Sequence, residues 1–473
     1  MDVNDIKIDV NDIKAEICKR SFFEFVKEFW SVIIPEKAVY NWHIKYLCDH
    51  LQEQAQLIKD RKPKRYDTII NIPPGTTKST ICTVMFPAWC WAIDPTFRII
   101  TGSYSASLAT DHAVKSRDIV KDEKYQLFFP YVQIKRDQDN KTQYKTTKGG
   151  ERYATSVGGT ITGIHAHLII IDDPLNPKQA DSDVERETAN NWMDVTLSTR
   201  KVDKEMTPTI LVMQRLHEED CTGNWLRKRK DSIHHICLPG KISNDVTPYH
   251  VRDYYKNGLL DPIRLSDKAL DELKTILGSY GYAGQIQQTP APEDGGIWQK
   301  WLIPIKRKDL PNLVDVGSDW DLAYTKEDKN SASAFVTSGK HENEMYITNL
   351  GFKWLEFPDL INYMKSQQPT HYIEAKASGK SAKQSLSKLG INSVEIKVDG
   401  GDKVGRTKLA TPHAEAGKVY IVEDLIDTIY NDSQQGILKF PNNSHNDLND
   451  ALVQAIVRHF LKKTFKTGKV RKG

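Results

Sequence analysis

The sequence lacks three features that would narrow its class at once. Its six cysteines, Cys18, Cys48, Cys82, Cys90, Cys221 and Cys237, form no Cys-x-x-Cys pair, which argues against a zinc site of the usual spacing. Scattered through 473 residues, they read as reduced thiols of a cytosolic protein. Long apolar runs are also missing. The most apolar stretch, TVMFPAWCWAI, is broken by Pro87 and falls short of the roughly 18 residues a membrane span needs. No membrane partner is therefore expected. The opening MDVNDIKIDVNDIK is charged rather than apolar, so no signal peptide is expected. Its DVNDIK repeat, at 2–7 and 9–14, is too short for a repeat architecture. Strong charge of one sign is the third absence. A net charge of +4 means that any nucleic-acid surface must be local.

What is present suits a globular protein of two domains. Hydrophobic residues make up 39% and charged residues 27%, which excludes a disordered chain, and the length exceeds one core. Residues 22–59 carry apolar side chains near helical spacing. The pattern then changes. YDTIINIP (66–73), FRIITGSYS (97–105), AHLIIID (166–172) and TPTILVMQ (207–214) are short apolar runs, separated by helical stretches such as SLATDHAVKSRDIVKDE (107–123). This alternation predicts a mostly parallel α/β sheet covered on both faces. Residues 246–300 are rich in Pro, Gly and polar side chains, with one helix around 265–288, and mark a junction. A second α/β pattern follows. LVDVGSDWDLAY and SASAFVTS read as adjacent strands, as do EMYITNLGF and THYIEA, and NDLNDALVQAIVRHFLKK reads as a closing helix. Lys462, Lys463, Lys466, Lys469, Arg471 and Lys472 then form a basic tail, either a DNA contact or a solvated end.

Two groups of residues carry chemistry. PPGTTKST (73–80) follows a strand and precedes a helix, the setting of a phosphate-binding loop. Its amide groups would cradle phosphates across Gly75, Thr76, Thr77, Lys78, Ser79 and Thr80. Lys78 would reach the β- and γ-phosphates, and the Ser79 hydroxyl would ligate Mg²⁺. The usual glycine before the lysine is replaced by Thr77. LIIIDDP (168–174) ends an apolar strand in two acids. Asp172 would hold the metal, and Asp173 would polarise the attacking water. The second group is acidic: Asp321 in SDWDLA, Glu374 at the end of THYIEA, and Asp447 and Asp450 at the start of the last helix. Such carboxylates converge only around cations. Two Mg²⁺ or Mn²⁺ ions about 4 Å apart would neutralise them and serve phosphodiester cleavage. Asp319 and Asp315 compete with Asp321 as the first-strand ligand. Asp447 also has an ordinary role open to it as a first-turn acid.

In order and spacing, PPGTTKST, the following FPAWCWAIDPTFRIITGSYSASLATDHAVKSRDIV, TSVGGTITGIHAHLIIIDDPLNP and TPTILVMQRLHEEDCTG resemble phage terminase large subunits. The resemblance runs from about Phe22 to Val457. It implies an N-terminal helical region (1–60), a P-loop ATPase domain (61–245), a linker (246–300), an RNase H-like nuclease domain (301–461) and the basic tail (462–473). The implied activity is ATP-driven translocation of double-stranded DNA into a procapsid, with cutting of concatemeric DNA. The implied partners are a portal protein, a small terminase subunit and further copies in a ring, all in the host cytoplasm. Gln214 and Arg215 would fall in the segment coupling hydrolysis to movement, and Arg200 and Arg215 are the candidates for a catalytic arginine. Trp42 would border the adenine or join the core. The family's W-D-x-A matches Trp320 to Ala323 and points to Asp321, and its E-x-K-x-x-G places Glu374. Its H-D-D-x-x-D appears as His445, Asn446, Asp447, Asn449 and Asp450, with Asn446 one charge short. Asn330 stands where relatives carry a further acid, for which Asp328 would substitute. Other readings are an ATP-dependent helicase or repair nuclease, which should carry a second RecA-like domain, and a DNA-binding scaffold with decayed sites, which Thr77 and Asn446 would favour.

Overall fold

The computed structural model describes residues 9–290, 296–323, 332–367, 370–374, 377–396, 403–441 and 445–461. Asp328, Asn330 and the basic tail from Lys462 lie outside the described residues. The chain divides into two compact units, Met1–Glu272 with Gly281–Ala291, and Leu273–Tyr280 with Pro292–Gly473.

In the first unit the opening residues fold into helices α1 (Val10–Arg20), α2 (Phe22–Ile33) and α3 (Trp42–Lys59). The Ser21 hydroxyl accepts from the Glu24 amide at 3.2 Å and starts α2. That helix buries Phe22, Phe25, Val26 and Phe29 as one apolar stripe. The sheet that follows has eight strands. They are β1 (Asp67–Asn71), β2 (Arg98–Ser103), β3 (Ile134–Asp139), β4 (Gln143–Thr146), β5 (Glu151–Ser156), β6 (Leu168–Asp172), β7 (Thr209–Met213) and β8 (Ile233–Cys237). Their order is β3-β4-β5-β2-β6-β7-β1-β8. From β5 to β8 every pairing is parallel, and β3-β4-β5 is an antiparallel edge. Strands β1, β6 and β7 are buried at every residue, as interior strands with both faces covered must be. Covering them are α4 (Phe86–Ile93), α5 (Ala106–Lys121), α6 (Glu123–Phe128), α7 (Asp183–Asn191) and α8 (Cys221–Arg229), while α9 (Asp267–Gln285) spans the boundary residues. All six cysteines are buried here, and burial raises the thiols, Cys18 to about 12.

The second unit is a mixed seven-stranded sheet. Its strands are β9 (Ile303–Ile305), β10 (Val314–Asp321), β11 (Ser333–His341), β12 (Glu344–Lys353), β13 (His371–Glu374), β14 (Ser393–Ile396) and β15 (Val419–Val422), in the order β14-β13-β10-β11-β12-β15-β9. The β10-β11-β12 meander is antiparallel, and the outer pairings are parallel. Helices α10 (Phe357–Lys365), α11 (Ala377–Lys388), α12 (Lys403–Glu415), α13 (Ile426–Asn431) and α14 (Asp447–Phe460) complete it. Leu448, Ala451, Leu452, Ala455 and Ile456 of α14 join Val336, Ile347 and Ile421 in one core. The fold class is thus α/β with two mostly parallel, mixed sheets. No described helix is long and apolar enough to cross a membrane.

Candidate active sites

The loop after β1 is closed from within. Thr76, fully buried, donates its hydroxyl to the Pro73 carbonyl at 2.6 Å. His43, at the start of α3, binds the Thr76 carbonyl through Nε2 at 3.1 Å and the Asn41 amide nitrogen through Nδ1 at 2.9 Å. Because a carbonyl only accepts, the proton sits on Nε2. Burial lowers this imidazole to about 4, against the opposing pull of the Thr76 carbonyl, so His43 is a neutral brace under the loop. Gly75 and Thr77 have φ of +75° and +67°. Glycine takes this left-handed geometry freely. For a β-branched residue it costs about 1–2 kcal/mol, and Thr77 stands where a phosphate loop ordinarily has glycine. Among the described residues, the amide groups of Gly75, Thr76, Thr77 and Lys78 donate to no backbone carbonyl. They cluster at the mouth of a helix that begins at Lys78 and is π-wound over Thr80–Met85 before it becomes α4. Such amides are an anion site.

The strand-end acids face this loop. One strand, β7, separates β1 from β6, and Lys78 bridges the gap: its Nζ lies 3.5 Å from Asp173 Oδ2. Asp172 is almost wholly buried. Its Oδ2 accepts from the Thr83 hydroxyl at 2.8 Å and lies 3.6 Å from His112 Nδ1, whereas Oδ1 is buried with no hydrogen-bond partner. Burial raises the Asp172 carboxyl, and Lys78, Thr83 and Ser79 oppose the rise. A buried carboxylate oxygen left unsatisfied costs free energy until a cation or donor meets it, and the Ser79 hydroxyl lies beside it. The donor set, one carboxylate and one hydroxyl of hard oxygen, fits Mg²⁺. Asp173 is held at φ +47° between the Val212 carbonyl and the Tyr104 amide, at 2.8 and 3.0 Å. Burial raises its carboxyl, Lys78 opposes, and the charge of Asp172 adds to the rise. Gln214, just past β7, donates its amide to Asp173 Oδ1 at 3.4 Å, while its own side-chain oxygen is buried without a partner.

The two candidate arginines are committed to local structure. Arg215 pairs with the fully buried Asp220 at 2.9 Å and also donates to the His217 carbonyl. Arg200 donates to the Ile161 carbonyl and the Thr199 hydroxyl. Trp42 packs against Tyr254 and Tyr255, with ring centroids 5.4 and 5.6 Å away.

In the second unit, β10 and β13 run parallel with Trp320 opposite Ile373. Asp321 and Glu374, the next residue on each, therefore stand side by side where the strands end. Asp447 opens α14. Its Oδ2 accepts from the Ala332 amide at 3.1 Å and the Gln435 side chain at 2.7 Å, which ties it to the start of β11 opposite Asp321. Asp450, one turn on, pairs with Lys403 at 2.6 Å. Lys403 also feels Asp321 and Asp447: burial lowers its proton affinity, but Asp450, Asp321 and Asp447 together raise it. Glu374 is met by Arg406 at 3.4 Å. Asp319 is elsewhere committed. It is fully buried, its two oxygens take Arg458 Nε at 3.1 and 3.0 Å, and Arg458 Nη2 closes the fork at 2.8 Å. Asp315 lies at the exposed start of β10. Of the three first-strand acids, only Asp321 joins the others. Among the described residues, no three His, Cys, Asp or Glu side chains converge closely enough to hold a metal ion as they stand.

Sequence reasoning did not identify His43, Thr83, His112, Lys403, Arg406, Gln435 or Arg458. Lys403 and Arg406 had the clearest signal, two basic residues three apart in GDKVGRTK.

No family model matches the chain, and no curated protein matches it. Among solved structures, the large terminase of a thermophilic bacteriophage in complex with ADP is similar. It is 10% identical, 79% of this chain and 87% of that one are covered, and the TM-score is 0.40. In another crystal form of the same terminase the values are 11%, 78%, 87% and 0.42. The large terminase nuclease from thermophilic phage G20c with bound zinc is 15% identical over 34% of this chain and 96% of that one, with a TM-score of 0.25.

Proposed function

We propose that this chain is a terminase large subunit. One unit hydrolyses ATP to drive double-stranded DNA into a procapsid, and the other cuts concatemeric DNA with divalent metal. The observation that carries the reading is the pairing, in one chain, of a lysine-bearing phosphate loop facing a buried Asp172–Asp173 strand end with strand-end acids beside a helix-start acid in a mixed sheet.

In the first unit, the free amides of the loop bind the phosphate chain, and Lys78 places its ammonium against the β- and γ-phosphates. Asp172 and Ser79 would hold Mg²⁺, which when bound neutralises charge developing on the phosphate oxygens. Asp173, with its carboxyl raised by burial and by Asp172, orients the attacking water and draws on its proton. Gln214 ties β7 to that acid and is suited to report the state of the phosphate. In the second unit, Asp321, Glu374, Asp447 and Asp450 would hold the Mg²⁺ or Mn²⁺ that activates water against the phosphodiester. The partners that fit this role are double-stranded DNA, a portal protein, a small terminase subunit and further copies in a ring, in the host cytoplasm.

The two activities separate by mutation of the full-length protein. Lys78→Ala is expected to abolish DNA-stimulated ATP hydrolysis while Mn²⁺-dependent plasmid cutting persists. Asp447→Asn is expected to do the reverse. A wild-type protein that hydrolyses no ATP with DNA present, or cutting that survives Asp447→Asn, rules the reading out.

A further inference from the structure

The second site carries fixed positive charge of its own. Lys403, in the first turn of α12, donates to Asp450 Oδ2 at 2.6 Å and to Asn446 Oδ1 at 2.5 Å. Three residues on, and on the same side of the helix, Arg406 meets Glu374. Two of the four acids are thus engaged by side-chain cations, and among the described residues no three acids close around a common point. The charge balance points the same way. Four carboxylates against one ammonium and one guanidinium leave a deficit of two charges, which one divalent ion fills. Two divalent ions would leave the protein site net positive by two.

We propose that Lys403 stands in for one cation of the pair, so that the site takes a single divalent ion, held by Asp321 and Asp447, and supplies the second positive charge to the phosphodiester from its own ammonium. The inference rests on the nuclease reading above and deepens it. Asn446 fits this arrangement. A neutral amide oxygen accepts from the ammonium without adding a charge that a second metal would be needed to cancel. Asp447 fits as well, because its two hydrogen bonds fall on Oδ2 and leave the lone pairs of Oδ1 for an ion. The ammonium is also secured in its charged form, since the three acids around it outweigh the effect of burial.

The test is electron paramagnetic resonance of Mn²⁺ bound to the full-length protein without nucleotide, with binding stoichiometry from equilibrium dialysis. Two Mn²⁺ ions about 4 Å apart give an exchange-coupled spectrum, and a lone ion gives an uncoupled hyperfine pattern. The wild-type protein is expected to show the uncoupled pattern, with that ion lost in Asp447→Asn. Lys403→Met and Lys403→Gln are expected to gain a second ion and a coupled spectrum. A coupled pair in the wild-type protein overturns the inference whatever the variants do, and that arm decides if neither variant folds. A folded Lys403 variant that still binds one ion overturns it too. If Asp447→Asn loses no Mn²⁺, the nuclease reading itself fails, and that result is distinct from both others.

Discussion

Asp319 and Asp321 lie two residues apart on one strand, and the structure gives them opposite duties that mutation can separate. Asp319 has no exposure and accepts three hydrogen bonds from the Arg458 guanidinium, at 2.8 to 3.1 Å. Arg458 is itself only 9% exposed. Removing one partner of such a pair strands a buried charge, at a cost of about 3–5 kcal/mol. For a unit of this size each kcal/mol moves the midpoint by roughly 2–4 °C, so Asp319→Ala should lower melting of the second unit by roughly 6–20 °C. Replacing both partners with apolar residues, as in Asp319→Leu with Arg458→Met, removes the stranded charge and should recover most of that loss. Asp321 is half-buried and crowded by like charges, so Asp321→Ala should shift melting by less than about 3 °C while abolishing plasmid cutting. The assay pairs calorimetric melting with Mn²⁺-dependent nicking. The assignment fails if Asp321→Ala destabilises as much as Asp319→Ala. It fails equally if the double variant folds, melts near the wild-type temperature and no longer cuts.

Two further outcomes follow from the first unit. Thr77→Gly exchanges a left-handed threonine, at a cost of about 1–2 kcal/mol, for a residue with more backbone freedom to lose, up to about 1 kcal/mol. Stability should therefore move by less than about 1 kcal/mol, whereas clearing the side chain from the phosphate path should tighten ATP binding by about fivefold, equivalent to ~1 kcal/mol; unchanged or weaker binding by titration calorimetry contradicts this. Burial lowers His50 to about 3, with His234 adding to the effect. The folded protein keeps this imidazole neutral while the unfolded chain takes up its proton below about pH 6.5, so stability present above that pH is lost as the pH falls towards 3. At pH 5 the loss is about 2 kcal/mol. His50→Phe should flatten the slope of melting temperature between pH 6.5 and 5, and an unaltered slope refutes the account.

How much was legible depended on what each residue's partners were. Strands β1, β6 and β7 are enclosed on both faces, so each reads as an apolar run, and the loop and acids at their ends come with them. The β3–β4–β5 edge did not read as strand. IKRDQD is largely exposed, and β5 buries a full arginine, Arg152, whose Nη2 donates to the Thr83 carbonyl at 2.7 Å. A charged residue in the core inverts the pattern that sequence reading relies on. The choice between Asp319 and Asp321 was beyond local pattern as well. Residues two apart in a strand share a face, and what distinguishes these two is Arg458, 139 residues away. His43 is of the same kind: nothing near it in the chain announces that its ring supports a loop 33 residues on.

The enclosed thiols have a practical use. Every cysteine of the chain lies at or before Cys237, all are buried, and burial keeps their protons on in the unreactive form. A single cysteine introduced on the surface of the second unit, at exposed Leu389 for example, would outpace all six natural ones towards a maleimide dye. A fluorescent or spin reporter can thus be installed in the wild-type background, with no substitution of the native thiols, to follow the nuclease unit through the ATP cycle.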